Sequence, residues 1–210
     1  MDHKKKFHQE CIHTPKGEIF VEGPVPEEAL KKMTFHQTLQ AFREPEDQYE
    51  AVVDISTLPE SRIIIVRDQQ EIVGYATFLY PDPLERWSDE NMEDLLELGA
   101  IEIAFPYRGY GLSKKILEVA MKDEYMENYI VITTEYYWHW DLKNSGLDVW
   151  QYRKVMEKVM AAGGLSWYAT DDPEITSHPA NCLMAKVGKN VPRESIEKFD
   201  RLRFKNRFMY

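Results

Sequence analysis

An α/β fold built on one mixed sheet is what this chain predicts, and three observations carry that reading. Arg62–Arg67 and Glu71–Leu79 are two β-rich runs separated by Asp68-Gln69-Gln70, the pattern of a hairpin whose second strand stops at Pro81. Leu112, Ile116, Val119 and Ala120 recur at helical spacing, with Lys114, Lys115, Glu118 and Lys122 opposite, so an amphipathic helix is expected from Gly111 to about Tyr125. Strand-like and helix-like stretches alternate along the rest of the chain, as they do where helices pack on a sheet.

The elements follow in order. Glu18–Val21 alternates as a strand and ends at Gly23-Pro24. Glu27–Met33, after Pro26, is a short helix; Pro45-Glu46-Asp47 opens a second that fades at Leu58-Pro59. Asp82–Glu97 is rich in acids and reads as a polar loop followed by a short helix, and Leu98–Phe105 is a strand ending at Pro106. Tyr129–Tyr137 returns to strand chemistry. Asp148–Ala161 is a second amphipathic helix, carrying Val149, Tyr152, Met156, Val159 and Met160 and stopped by Gly163-Gly164. Leu165–Thr170 is a further strand. Ser177 has the chemistry of a helix N-cap, with Pro179 near the first turn and Gly188 at the end of a short helix. In the C-terminal segment Arg201, Arg203 and Lys205 alternate with Leu202 and Phe204, which suits a strand with one cationic face; a helix running on from Glu194 is the alternative.

Composition narrows the function. A chain of 210 residues is read as a single domain spanning 1–210, with a basic, aromatic extension over 191–210. The formal net charge of −10 repels phosphate backbones, so nucleic acid is not an expected partner. Six Lys/Arg against three Asp/Glu between Val191 and Tyr210 leave +3 there and −13 elsewhere, which marks the extension for partner docking, for contact with phosphates, or for a charge-protected sheet edge. No apolar run approaches the ~18 residues of a membrane span. Gln9, Glu10 and His13 occupy the place where a secretory leader needs apolar residues. Cys11 and Cys182 lie far apart, so neither a metal site nor a disulfide framework is expected, and the usage fits a reducing cytoplasm.

The segment with the most chemistry is Ile101-Glu102-Ile103-Ala104-Phe105-Pro106-Tyr107-Arg108-Gly109-Tyr110-Gly111-Leu112-Ser113. It reads as a strand, a tight basic turn and a helix N-terminus. Unpaired N–H groups and the positive end of the helix dipole suit a diphosphate there. Gly109 and Gly111 let the backbone approach an anion closely, and Arg108 adds a full charge. The competing reading is an ordinary strand–turn–helix connection that needs glycine for its dihedrals. The segment is neither a Walker loop nor a GxGxxG fingerprint.

Arg108-Gly109-Tyr110-Gly111-Leu112-Ser113 resembles the acetyl-CoA motif of GNAT-type N-acetyltransferases, Arg/Gln-x-x-Gly-x-Gly/Ala after a strand. The resemblance implies a mixed, mostly antiparallel central sheet with helices on both faces and a splayed strand that binds acetyl-CoA. It implies coenzyme contacts from Ile103, Phe105, Arg108, Gly109, Tyr110, Gly111, Leu112 and Ser113. Asn181–Gly188 is similar to the Asn-x-x-Ala…Gly helix of the family, which adds Asn181; Asp148–Gly164 competes for that slot. No equivalent of the family's tyrosine general acid is evident. Longer stretches, Tyr80–Trp87, Thr134–Asp141 and His178–Leu183, resemble the protein-modifying members that acetylate a lysine of acetyl-CoA synthetase. A small-amine acetyltransferase and a non-catalytic, acyl-CoA-dependent binding module stand as alternatives.

A lysine acceptor with pKa near 10.4 must lose a proton before it attacks, and a carboxylate beside the thioester is the usual device. Glu102, Glu97 and Glu135 all fall on predicted strands, and Glu102 is the first choice because it precedes Ile103, whose main chain the family uses to hold pantetheine. Glu97 lies where some histone-modifying relatives carry their base. Alternation puts Glu97 and Ile103 on one face and Glu102 on the other. A main-chain N–H near Ile103 is the expected donor to the thioester oxygen. Cys182 reads as packing within an apolar helix, and Tyr136-Tyr137-Trp138-His139-Trp140 as packing or a partner surface.

Overall fold

The computed structural model describes residues 1–208, with side chains through Asn206, so Met209 and Tyr210 of the C-terminal extension lie outside the described residues. The chain forms two compact units, Met1–Leu79 with Leu98–Met126, and Tyr80–Glu97 with Glu127–Tyr210.

The first unit contains β1 (His8–Thr14), β2 (Gly17–Gly23), α1 (Glu27–Leu30), β3 (Thr34–Phe35), α2 (Pro45–Ser56), β4 (Arg62–Asp68), β5 (Glu71–Leu79), most of β6 (Leu95–Ile103) and α3 (Leu112–Ala120). β1, β2, β4 and β5 form a continuous antiparallel ladder, and β3 adds two parallel pairs to β5. The predicted hairpin is β4–β5. Ile63, Ile64, Ile65 and Val66 are all buried, so β4 is covered on both faces, which explains its unbroken apolar run. β1 was not predicted: it is polar, with a half-buried/exposed alternation, and its order comes from seven pairs with β2. α1 is a single turn, shorter than expected. α3 buries Leu112, Ile116, Leu117, Val119 and Ala120 and ends before Tyr125. Past its end the Asp123 carboxylate is held in place: Oδ1 accepts from Tyr125 N at 3.0 Å and Oδ2 from Lys6 N at 3.2 Å, 3.6 Å from the buried Arg62 Nε.

The second unit contains the start of β6, β7 (Ile130–Glu135), α4 (Leu142–Ser145), α5 (Val149–Ala162), β8 (Ser166–Tyr168), α6 (Pro173–Thr176), β9 (Cys182–Val187) and α7 (Arg193–Arg203). β6 begins three residues earlier than expected, because Leu95, Leu96 and Glu97 pair in parallel with Ile130, Val131 and Ile132. The acidic stretch before it supplies one 3-10 turn, Arg86–Ser88. α5 forms as predicted, with Asp148 and Gln151 completing a capping box.

Three readings are corrected by the fold. Asn181–Gly188 is not a helix: Cys182–Val187 is β9, paired antiparallel with β7 through six residue pairs and flanked on its other side by β8. Cys182, Leu183, Met184 and Ala185 are all buried, and a short apolar run enclosed on both faces has no periodicity to separate strand from helix. The cap expected at Ser177 is made instead by Asp172, whose carboxylate accepts from Glu174 N at 2.9 Å, with Pro173 in the first turn. The cationic strand at Arg201–Lys205 is also absent; Ser195, Phe199 and Leu202 are buried at i, i+4 and i+7 on α7, which is the helical alternative.

Candidate active site

In the first unit, β6 ends at Ile103, a 3-10 turn spans Phe105–Tyr107, and α3 starts at Leu112 with Gly111 at its N-cap. Gly109 (φ +88°) and Gly111 (φ +74°) both take the left-handed backbone, and a Cβ on either would meet nothing within 4 Å. The N–H groups of Gly109, Tyr110, Gly111, Leu112 and Ser113 have no acceptor among the described residues. These orphaned donors and the open space above them fit the diphosphate of a coenzyme. Arg108 is exposed; its Nε donates to Ile103 O at 3.1 Å and its guanidinium lies 5.7 Å from the exposed Phe105 ring. The Ile103 carbonyl therefore keeps one lone pair for another donor. The next two N–H groups are engaged, Ala104 N with Val73 O at 2.8 Å and Phe105 N with Thr38 Oγ1 at 3.0 Å. The turn is braced by Tyr107 OH, which donates to Asp68 Oδ2 at 2.7 Å.

The three glutamates occupy different environments. Glu102 is buried in the first unit. Its Oε1 accepts from Gln40 N and Ala41 N, both at 2.9 Å, and its Oε2 from Tyr75 OH at 3.2 Å. Burial raises its pKa, while these donors and the Arg108 charge work the other way. The carboxylate is thus fastened to the loop after β3.

Glu97 and Glu135 belong to the second unit. Glu97 is half-buried at the last pair of the β6–β7 ladder and has one weak partner, Thr134 Oγ1 at 3.4 Å. Burial, then the charge of Glu85, lifts its pKa to about 7, against the Thr134 hydrogen bond. Glu135 is buried and accepts from Trp140 Nε1 at 3.0 Å; burial lifts it to about 7 as well.

Asn181 is buried and spends both ends of its amide inside the second unit: Oδ1 accepts from Tyr137 N at 3.0 Å and Nδ2 donates to Glu174 O at 3.3 Å. Between β7 and β8 the chain forms α4 and then α5, which spans most of the Asp148–Gly164 stretch and carries no asparagine. Cys182 is buried on β9, with its thiol pushed up to about 12 by burial. The aromatic stretch divides: Trp140 is buried, while Trp138 is exposed and stacks on Tyr136 at 4.8 Å. For a metal, the described residues offer Cys11, His13 and Glu18, with ligand atoms within 4.8 Å of one another, all three exposed on the β1–β2 hairpin. Sequence reasoning missed Thr134 and Tyr75. Their polar partners become identifiable only once strand register is known.

A family model described as the acetyltransferase (GNAT) family matches residues 30–144, more than half of the chain. The chain belongs to the GNAT family. It is an acyltransferase of the acetyl-CoA-dependent kind, on a mixed, mostly antiparallel sheet flanked by helices. It is 64% identical to the acetoin utilization protein AcuA of Bacillus subtilis (strain 168) and 60% identical to that of Bacillus licheniformis, over all 210 residues and 100% of each relative. A solved structure of an acetoin utilization protein from Exiguobacterium sibiricum matches with a TM-score of 0.96 at 55% identity, covering 99% of this chain and 98% of that one. Within the GNAT family this chain is therefore AcuA-like.

Proposed function

We propose that the protein transfers the acetyl group of acetyl-CoA to the ε-amine of a lysine, that the acceptor is acetyl-CoA synthetase, and that the modification turns the synthetase down in acetoin and acetate metabolism in the cytoplasm. The relatives named for acetoin utilization support the metabolic setting. The observation that carries the chemistry is the glycine turn of the first unit, where Gly109 and Gly111 take the left-handed backbone and the N–H groups from Gly109 to Ser113 have no acceptor among the described residues.

Only about one lysine in a few thousand is unprotonated at neutral pH. Glu97 takes a proton from the acceptor ammonium, and a base whose pKa matches the working pH does this best. Bound acetyl-CoA supplies the thioester: the amine nitrogen bonds to its carbonyl carbon as the C–S bond breaks, and the coenzyme sulfur leaves and takes up the proton that the nitrogen gives up on becoming an amide. Arg108 and the open N–H groups from Gly109 to Ser113 hold the diphosphate. Glu102, saturated by two main-chain donors and a tyrosine, fixes the Gln40–Ala41 loop and is a positioning residue in this reading.

Mass spectrometry of acetyl-CoA synthetase incubated with this protein and acetyl-CoA tests the proposal. A lysine gaining one acetyl unit is the expected result. Acetylation of free amines alone points to the small-amine reading, and a stable complex without adduct to a binding module. Glu97→Gln is expected to lose roughly 10²- to 10⁴-fold in kcat with CoA affinity retained, and the wild-type rate to rise with pH through about 7 as Glu97 ionises.

A further inference from the structure

A cleft of ≈ 400 Å³ in the second unit has no part in the chemistry above. Four stretches of chain line it: Glu85, Arg86 and Trp87 before β6, Tyr136 after β7, Asp172 and Glu174 around α6, and Lys205 after α7. Trp87 and Tyr136 also belong to the apolar cluster formed by Leu95, Ile130, Ile132 and Phe199. Side chains alternate along a strand, so Glu97 shares the Leu95 face, and Thr134 and Tyr136 share the Ile132 face. Glu97 and the cleft thus lie on the same side of the sheet. Two hydrogen bonds lie along the way: Thr134 Oγ1 donates to Glu97 Oε1 at 3.4 Å, and Tyr136 OH donates to Glu174 Oε2 at 3.4 Å.

The charges in the cleft do not cancel. Arg86 Nη2 lies 3.0 Å from Asp171 Oδ1 and its Nη1 3.6 Å from Asp172 Oδ2. Lys205 is paired with Asp89. Both cations are therefore neutralised, while Glu85 and Glu174 are exposed and no cation pairs with either among the described residues. Partial loss of water against the cleft wall, then the nearby charges of Asp82, Glu174 and Asp172, raise the pKa of Glu85 although its side chain reaches solvent, and a bound cation relieves that crowding.

We propose that this cleft receives the cationic segment of the acceptor polypeptide, with Glu85 and Glu174 selecting lysine side chains that flank the acetylated one. The inference rests on Glu97 being the base that the acceptor must reach. Rim charges of this kind govern capture and specificity more than the chemical step.

The test reads binding, not turnover. A labelled peptide with one central lysine flanked by lysines, and its counterpart flanked by glutamates, are titrated by fluorescence anisotropy against the CoA-loaded full chain. The lysine-flanked peptide is expected to bind more tightly. The double variant Glu85→Gln, Glu174→Gln is expected to weaken it roughly three- to thirtyfold and to flatten its salt dependence, with calorimetric CoA affinity unchanged. Glu174→Lys, at an exposed position, is expected to shift preference towards the glutamate-flanked peptide. Equal affinity for the two peptides, or unchanged affinity and salt slope in the double variant, overturns the assignment. A Glu97→Gln protein that stays fully active sinks the base instead, and peptide discrimination is read independently of it.

Discussion

Glu102 offers the sharpest test of how the site is built, because its two isosteric extremes separate holding a loop from moving a proton. Glu102→Ala removes the acceptor for Gln40 N, Ala41 N and Tyr75 OH at once. Gln40 and Ala41 are exposed, so water takes up part of that loss, but Tyr75 is completely buried and its hydroxyl is stranded. A stranded buried donor costs ~1–3 kcal/mol, and the lost packing adds to it, so the variant should lose about 2–4 kcal/mol. For a chain of this size that corresponds to a melting temperature lower by roughly 5–15 °C. Glu102→Gln keeps an oxygen facing both main-chain N–H groups and turns an amide NH₂ towards the Tyr75 hydroxyl, which can accept it. It should cost about 1 kcal/mol or less and keep kcat within about tenfold of the wild type. Thermal melts and steady-state rates on the two variants decide the matter. A Glu102→Gln protein that melts normally but loses ~10³-fold in kcat, together with the pH limb near neutrality, would refute the loop-holding role and make Glu102 the base.

Two further outcomes follow from local geometry. Glu135 is buried with a pKa of about 7, above its unfolded value, so the fold binds that proton more tightly. Its stabilising effect is complete below pH ~4.5 and is lost as pH rises to about 7, a change of about 3 kcal/mol. Glu135→Gln, which still accepts from Trp140, should therefore be more stable than the wild type at pH 8 and indistinguishable from it at about pH 4 in urea titrations. Gly111→Ala forces a side chain into the left-handed region at φ +74° and adds a methyl at the N-cap of α3, next to the orphaned N–H groups in the chain. It should cost ~1–2 kcal/mol of stability and weaken CoA binding in calorimetry by at least about tenfold; unchanged affinity would remove the diphosphate from this turn.

What could be read from the residues alone is local in origin. The 62–79 hairpin rests on β-rich runs around a polar tripeptide, α3 on its apolar stripe, and α5 on Asp148, its cap and its glycine stop. The glycine turn was legible for the same reason: Gly109 and Gly111 act through their own dihedrals and their own neighbours. Other features needed the fold. Residues 182–187 are a strand because β7 and β8 enclose them, and β1 is ordered because β2 pairs with it; neither cause is written in those segments themselves. The Arg201–Lys205 alternation misled because α7 buries Phe199 and Leu202 together, a relation with helical period that outweighs two residues of strand-like pattern.

Three glutamates on predicted strands marked where proton chemistry was to be sought, and the ranking that put Glu102 first rested on the family resemblance, not on their surroundings. Glu102 meets N–H groups sixty-one and sixty-two positions away, and Glu97 meets a hydroxyl thirty-seven positions away. The charge state of a carboxylate depends on how much water it loses and which donors replace it. Both are set by pieces of chain that only folding brings alongside.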